Sequence, residues 1–273
     1  MKDRKLHVAI TGLILSAFLF TGCGSVAQVS MQTGPAESSV LSESGKPYKE
    51  LTGKVVVFGT SIWANEPGPA GIASRLEDLT SFQVTDYSMP GGLATRIEGD
   101  SFSDISLVSI LLYNKDRNSK KMCESVREAD YVILAFGGNE HAMGIPASGE
   151  GESFENALLI SVDAIRDLNP DVEIILLAPL NGWYQEDGEY YPVEDVDNGG
   201  GKRTEYVNAV ESVAQKEGLL CIRMSEACVF SIDDPYKYFE DGSHLTDLGR
   251  KVYSEYLAEH IYDYYYVQDD DLE

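Results

Sequence analysis

Ser61 stands two residues beyond a glycine that ends the apolar run Val55-Val56-Val57-Phe58. A serine hydroxyl is a weak nucleophile until a base takes its proton as it attacks. Histidine suits that task, because its unperturbed pKa is about 6.5 and a carboxylate on its other ring nitrogen fixes tautomer and orientation. His244 lies in the segment Glu240-Asp241-Gly242-Ser243-His244, three residues after Asp241. Two further segments offer N–H donors: Ser88-Met89-Pro90-Gly91-Gly92 and Gly137-Gly138-Asn139-Glu140-His141. A hydroxyl, an imidazole, a carboxylate, flexible backbone amides and a carboxamide make up the inventory for acyl transfer. The tetrahedral intermediate of that chemistry carries a negative oxygen that needs preorganised donors. Plainer roles exist for each residue. Ser61 can cap a helix, Asn139 can hold a left-handed turn, and Asp241-Gly242 is an ordinary turn dipeptide with His244 beside the next helix.

The elements that would bring these residues together alternate along the chain. Lys54–Phe58, Phe82–Tyr87, Tyr131–Phe136, Val172–Ala178 and Leu219–Arg223 read as strands, the first with the continuous apolar character of a strand buried on both faces. Pro69–Leu79, Ser103–Tyr113, Lys121–Glu128, Glu152–Leu168, Arg203–Lys216 and Thr246–Ile261 read as helices. Strands alternating with helices of this length predict a parallel sheet covered on both faces, an α/β fold. Ligands of such sheets sit outside the carboxyl ends of the strands, where Ser61, Gly91-Gly92 and Asn139 are expected.

The four blocks Phe58-Gly59-Thr60-Ser61-Ile62-Trp63, Ser88–Gly92, Gly137–Glu140 and Asp241–His244 occur in that order. They resemble the blocks of the SGNH hydrolases, also called the GDSL esterase/lipase family, over essentially the whole span from Lys54 to Ile261. The resemblance implies a three-layer α/β/α sandwich around a five-stranded parallel sheet. It implies Ser61 as nucleophile, His244 as base and Asp241 as the residue that orients it. The oxyanion hole would be formed by the N–H groups of Ser61 and Gly91 and the side chain of Asn139, with Gly92 able to exchange roles with Gly91. No metal or organic cofactor is implied. Thr60, Glu140 and Leu93 depart from the usual residues of the blocks, and Thr60 and Glu140 bear on the rigidity of the site. The expected substrate is an ester, either an acylated carbohydrate to be deacetylated or a short-chain acyl ester. A glycan-binding or assembly lipoprotein on the same fold is the alternative. A G-x-S-x-G elbow is not present, since Trp63 stands at its second glycine.

The ends of the chain read differently. Lys2, Arg4 and Lys5 precede the apolar stretch Val8–Phe20, and Thr21-Gly22-Cys23 follows. The stretch has the length of a signal-peptide core rather than a membrane span. The small residues before Cys23 resemble a bacterial lipobox, which implies cleavage after residue 22, a lipid anchor at Cys23 and an exported, membrane-tethered protein. Residues 23–50 are rich in Ser, Gly, Gln and Glu and read as a flexible tether. Residues 51–266 form the domain, and 267–273 an acidic tail.

The formal net charge of −24, from 45 acidic and 21 basic residues, excludes a nucleic-acid partner, because phosphate binding needs clustered Lys and Arg. Of the domain's cysteines, Cys123, Cys221 and Cys228, the last two either pair outside the cell or remain buried thiols. His141 reads as a solvated loop residue, with the edge of the pocket as the alternative, and His260 as a surface or tail residue. Trp63 and Trp183 lie near the expected mouth of the site, either as sugar platforms or as packing residues. The segment Asp195–Thr204 satisfies neither a calcium loop nor a P-loop and reads as a flexible loop, with Lys202 and Arg203 near substrate. The long connection 181–202 is expected to shape the pocket.

Overall fold

The computed structural model describes residues 48–66, 68–97, 105–114 and 117–267. The amino-terminal segment with Cys23 and the last residues of the acidic tail lie outside the described residues. Five strands, β1 (Thr52–Gly59), β2 (Ser81–Asp86), β3 (Tyr131–Ala135), β4 (Glu173–Ala178) and β7 (Leu220–Arg223), form one sheet in the order β2-β1-β3-β4-β7. Every pairing in it is parallel. The three-layer sandwich follows from the two-residue period of these strands. Val56, Phe58, Val132, Leu134, Ile174 and Leu176 pack on one face with the apolar sides of α3 (Arg117–Arg127), α5 (Phe154–Leu168) and α6 (Arg203–Glu217). Val55, Val57, Ile133, Ile175 and Leu177 pack on the other with α2 (Ile72–Leu79) and α7 (Asp247–Tyr262). Both faces are covered, which is why β1, β3 and β4 read as continuous apolar runs.

Helix starts are set by capping. The Ser153 hydroxyl accepts from Asn156 N–H at 3.3 Å to open α5, and Thr246 accepts from Gly249 N–H at 3.0 Å to open α7. α2 begins at Ile72 rather than at residue 69, because a turn closed by Gly71 N–H on the Gly68 carbonyl precedes it. Of the expected helix 103–113, residues 103 and 104 lie outside the described residues, and Ser109–Tyr113 forms a π-helical turn. Two short helices follow strand ends, α1 (Ser61–Ala64) and α4 (Gly138–Met143).

The connection after β4 contains a two-stranded hairpin, β5 (Trp183–Glu186) and β6 (Glu189–Pro192). Its turn is Asp187-Gly188, with φ of 50° and 87°, the pair of positive angles that a tight hairpin turn requires. Cys221 packs on the α6 face of the sheet and Cys228 in the core on the opposite face, so they do not meet; both are free thiols.

Candidate active site

β1 ends beside β3, with Gly59 opposite Ala135. Thr60 is the N-cap of α1 and its carbonyl accepts from Trp63 and Ala64. Ser61 is therefore the first residue of a helix, where the backbone N–H has no intrahelical acceptor. Its hydroxyl lies 2.9 Å from Nε2 of His244, and Nδ1 of His244 lies 2.7 Å from Oδ2 of Asp241. The other carboxylate oxygen of Asp241 accepts from the N–H groups of Ser243 at 3.0 Å and His244 at 2.8 Å. Burial works to raise the Asp241 pKa, but the bonds from the His244 ring and from these two amides outweigh it and hold the carboxyl below its ordinary value. The sequence-predicted serine, histidine and aspartate are thus brought into one hydrogen-bonded chain.

The hairpin backs this chain. Trp183 N–H donates to the Gly242 carbonyl at 3.0 Å and its indole to the Pro235 carbonyl at 2.7 Å. The two backbones approach so closely that a Cβ on Gly242, whose φ is +85°, would fall 2.1 Å from the Trp183 carbonyl oxygen. Trp183 is buried, with Tyr190 and Tyr236 edge-on to its ring. It is a packing residue that fixes the loop carrying Asp241 and His244.

The Gly91-Gly92 turn docks on the end of β1. Met89 N–H donates to the Gly59 carbonyl at 3.1 Å, and Gly92 N–H donates to the Met89 carbonyl at 2.9 Å. Gly92 N–H is therefore already engaged, whereas among the described residues Gly91 N–H has no backbone acceptor. The Asn139 side chain donates to the Gly92 carbonyl at 2.8 Å, which leaves the second hydrogen of its NH2 for a ligand. Glu140 ties the two segments together. It is fully buried, with one oxygen accepting from Ala94 N–H at 2.6 Å and Thr95 N–H at 3.4 Å and the other from Gly137 N–H at 2.9 Å. Burial pushes its pKa up and these backbone donors pull it back.

A cavity of about 130 Å³ opens beside Ser61, lined by Trp63, Asn139, Leu177, Met224 and Arg203 among others. Trp63 is buried in its wall, donating from its indole to the Tyr253 hydroxyl at 3.2 Å. Three expectations need correction. His141 is not a solvated loop residue: it is 3% exposed, donates from Nε2 to the Val196 carbonyl at 2.8 Å and packs edge-on to Tyr206. Burial lowers its pKa. His260 is half-buried rather than fully on the surface, stacked on Tyr256 and bonded to the Tyr256 carbonyl. The segment Asp195–Thr204 is not a loose loop, since Asp197 accepts from Gly199 and Gly201 N–H, Gly200 accepts from Ala147 N–H, and the Tyr206 hydroxyl closes on the Ile145 carbonyl. Of its two basic residues, Arg203 lines the cavity, while Lys202 pairs with Asp195 at 2.9 Å. Among the described residues no three His, Cys, Asp or Glu side chains converge as metal ligands.

Residues 57–252, which contain Ser61, Gly91, Asn139, Asp241 and His244, match the model of the GDSL-like lipase/acylhydrolase family. The chain belongs to this family. Solved structures carry the same fold. A possible lipase from Chitinophaga pinensis is 17% identical with a TM-score of 0.56, over 78% of this chain and 98% of that one. A carbohydrate acetylesterase from Sinorhizobium meliloti is 14% identical with a TM-score of 0.54, over 78% and 99%. An acetyl xylan esterase is also 14% identical, with a TM-score of 0.51 over the same shares. No curated protein sequence matches the chain. In the GDSL-like hydrolase Ser61, Gly91 and Asn139 lie beyond strand ends, and Asp241 and His244 lie just ahead of α7. The clamp made by Glu140 and the packing of the hairpin behind Gly242 were not anticipated from the sequence, whereas Arg203 lines the cavity as expected of a residue near substrate.

Proposed function

We propose that this GDSL-like hydrolase is a serine esterase working through an acyl-enzyme. Ser61 Oγ attacks the ester carbonyl carbon while His244 Nε2 takes its proton, with Asp241 stabilising the imidazolium through Nδ1. The N–H groups of Ser61 and Gly91 and the Asn139 side chain receive the oxyanion. The C–O bond to the alcohol then breaks, and the alcohol leaves with the proton from His244. Water adds to the acyl-enzyme by the same route in reverse, releasing the acid. The observation that carries this reading is the position of His244 between Ser61 and Asp241, at 2.9 Å and 2.7 Å.

The substrate we infer is a short acyl ester, with an acetylated carbohydrate first among the candidates. The small volume of the cavity supports a short acyl group, and the acetylesterases of the same fold support carbohydrate as the alcohol. A fluorophosphonate tests the nucleophile directly. Attack by Ser61 would expel fluoride and leave one phosphonyl group on the peptide that contains it, with loss of 4-nitrophenyl acetate and butyrate turnover in step. A label on any other residue, or turnover that survives full labelling of Ser61, would overturn the assignment.

We also propose that the protein is exported and held at the membrane by lipid on Cys23, on the strength of the basic, apolar and small-residue order before that cysteine. In bacterial cells given labelled palmitate, the natural chain should take up label and sediment with membranes, and Cys23→Ser should do neither. An unlabelled natural chain would sink the idea.

A further inference from the structure

Arg203 is the first residue of α6, and its side chain turns inward to line the cavity beside Ser61. The guanidinium lies against the backbone of Gly138, next to the oxyanion candidate Asn139; a Cβ on Gly138 would sit 3.2 Å from Nη1. Around it the cavity wall is largely apolar, from Phe136, Leu177, Ala178, Pro179 and Leu180. Nε of Arg203 is withdrawn from solvent without a hydrogen-bond partner, and among the described residues the guanidinium has no ion pair within reach. Burial lowers its pKa to about 10, which leaves it fully charged at neutral pH.

An unpaired charge in an apolar wall is costly. Most buried arginines avoid that cost by meeting a carboxylate or several carbonyls. Arg250 does so in this chain, donating to the carbonyls of Ala70 and Leu245. The neighbouring Glu140 acts on Arg203 through its field, but its two oxygens are held by the N–H groups of Ala94, Thr95 and Gly137. Arg203 thus presents free donors to the space that a bound ester would enter.

We propose that Arg203 forms an anion subsite, so that the preferred substrates of this esterase are esters that themselves carry a carboxylate. The inference rests on the esterase reading above for its catalytic consequence, though not for the binding itself. The net charge of −24 repels anions from the surface as a whole. A preference for a carboxylate must therefore arise locally, from the guanidinium in the cavity. The carboxylate belongs either to the acyl group or to the alcohol, and matched ester pairs separate the two.

The test compares kcat/KM within two pairs. In the first, 4-acetoxybenzoate against its methyl ester, the charge is on the alcohol. In the second, mono-4-nitrophenyl adipate against 4-nitrophenyl hexanoate, the charge is on the acyl group. In Arg203→Gln the ratio of charged to neutral ester is expected to fall about 10- to 100-fold in at least one pair, the range of a lost hydrogen bond to a charged group. Arg203→Lys, which keeps the charge without the fork, should fall less. Ratios unchanged in both pairs would overturn the proposal and leave Arg203 as a distant counter-charge for Glu140. A binding arm stands apart from turnover and from the folding of the Arg203 variants. Ser61→Ala protein titrated with benzoate and benzamide should favour benzoate about tenfold or more, and equal binding would count against the subsite. If neither pair is hydrolysed by the natural protein yet benzoate is preferred, the esterase reading fails and the anion subsite stands.

Discussion

Asp241→Asn is expected to lower kcat about ten-thousand-fold at neutral pH while leaving the melting temperature nearly unchanged. The size is that of the same substitution in serine-protease triads, and the reason can be read from the hydrogen bonds. Oδ1 of Asp241 accepts two backbone N–H groups, from Ser243 and His244. In the asparagine variant that position must still be an oxygen, because an NH2 there would face two donors. The amide nitrogen is then forced toward Nδ1 of His244, where it can only donate. Nδ1 becomes an acceptor, the ring proton moves to Nε2, and the nitrogen facing the Ser61 hydroxyl can no longer take its proton. The two backbone bonds survive, which is why the fold should hardly notice. Steady-state hydrolysis of 4-nitrophenyl acetate with thermal melts of both proteins measures both quantities. A variant that kept a tenth of the natural kcat would show that His244 is not oriented through Asp241.

The residues of this chain divide by how local their signals are. β1, β3 and β4 were legible because their valines, isoleucines and leucines are buried on both faces, so composition alone marks them. Ser61 and Asn139 were legible because each follows the end of such a strand, and Asp241 and His244 because they precede the closing helix and the four short blocks keep their order. Hairpin β5–β6 was missed for a physical reason. Its strands carry tyrosines and acids with little buried surface, so no hydrophobic period announces them. The Asp187-Gly188 pair was nevertheless a turn signal of the kind that joins two short strands. The burial of His141 and the contact of Arg203 with Gly138 were beyond reach in a different way, although Arg203 was expected near substrate and does line the cavity. The side that each turns to depends on a partner more than fifty residues away: Val196 for His141, and for Arg203 the backbone of Gly138. Neither residue declares its burial in sequence, because arginine is mostly exposed and histidine is found both inside and outside.

The Thr60 and Glu140 departures were expected to bear on the rigidity of the site, and at Glu140 the structure shows a clamp between two of its segments. Glu140→Gln is expected to cost about 3 kcal/mol of stability, because every arrangement of the amide leaves a buried N–H facing another donor. Ala94 and Thr95 need an acceptor at Oε1 and Gly137 needs one at Oε2, and a glutamine supplies a single oxygen. In a domain of this size the loss corresponds to a fall in melting temperature of about 10 °C. Activity should fall further than stability explains, since the same carboxylate holds the segment after Gly91-Gly92 against the helix that carries Asn139. At a temperature where both proteins are folded, kcat for the glutamine variant should drop while KM for a small ester changes less, the mark of a donor displaced from the developing oxyanion. Glu140→Asp, which restores the residue usual in the family, tests reach rather than charge. One methylene shorter, it keeps the bond to Gly137 within its own helix turn more readily than the one to Ala94, and should lie between the natural protein and the glutamine variant. A melting temperature unaltered by Glu140→Gln would mean that the clamp contributes nothing to folding. The arrangement of Gly91 and Asn139 would then have to be maintained by the Asn139 bond to the Gly92 carbonyl and by the docking of Met89 on Gly59 alone.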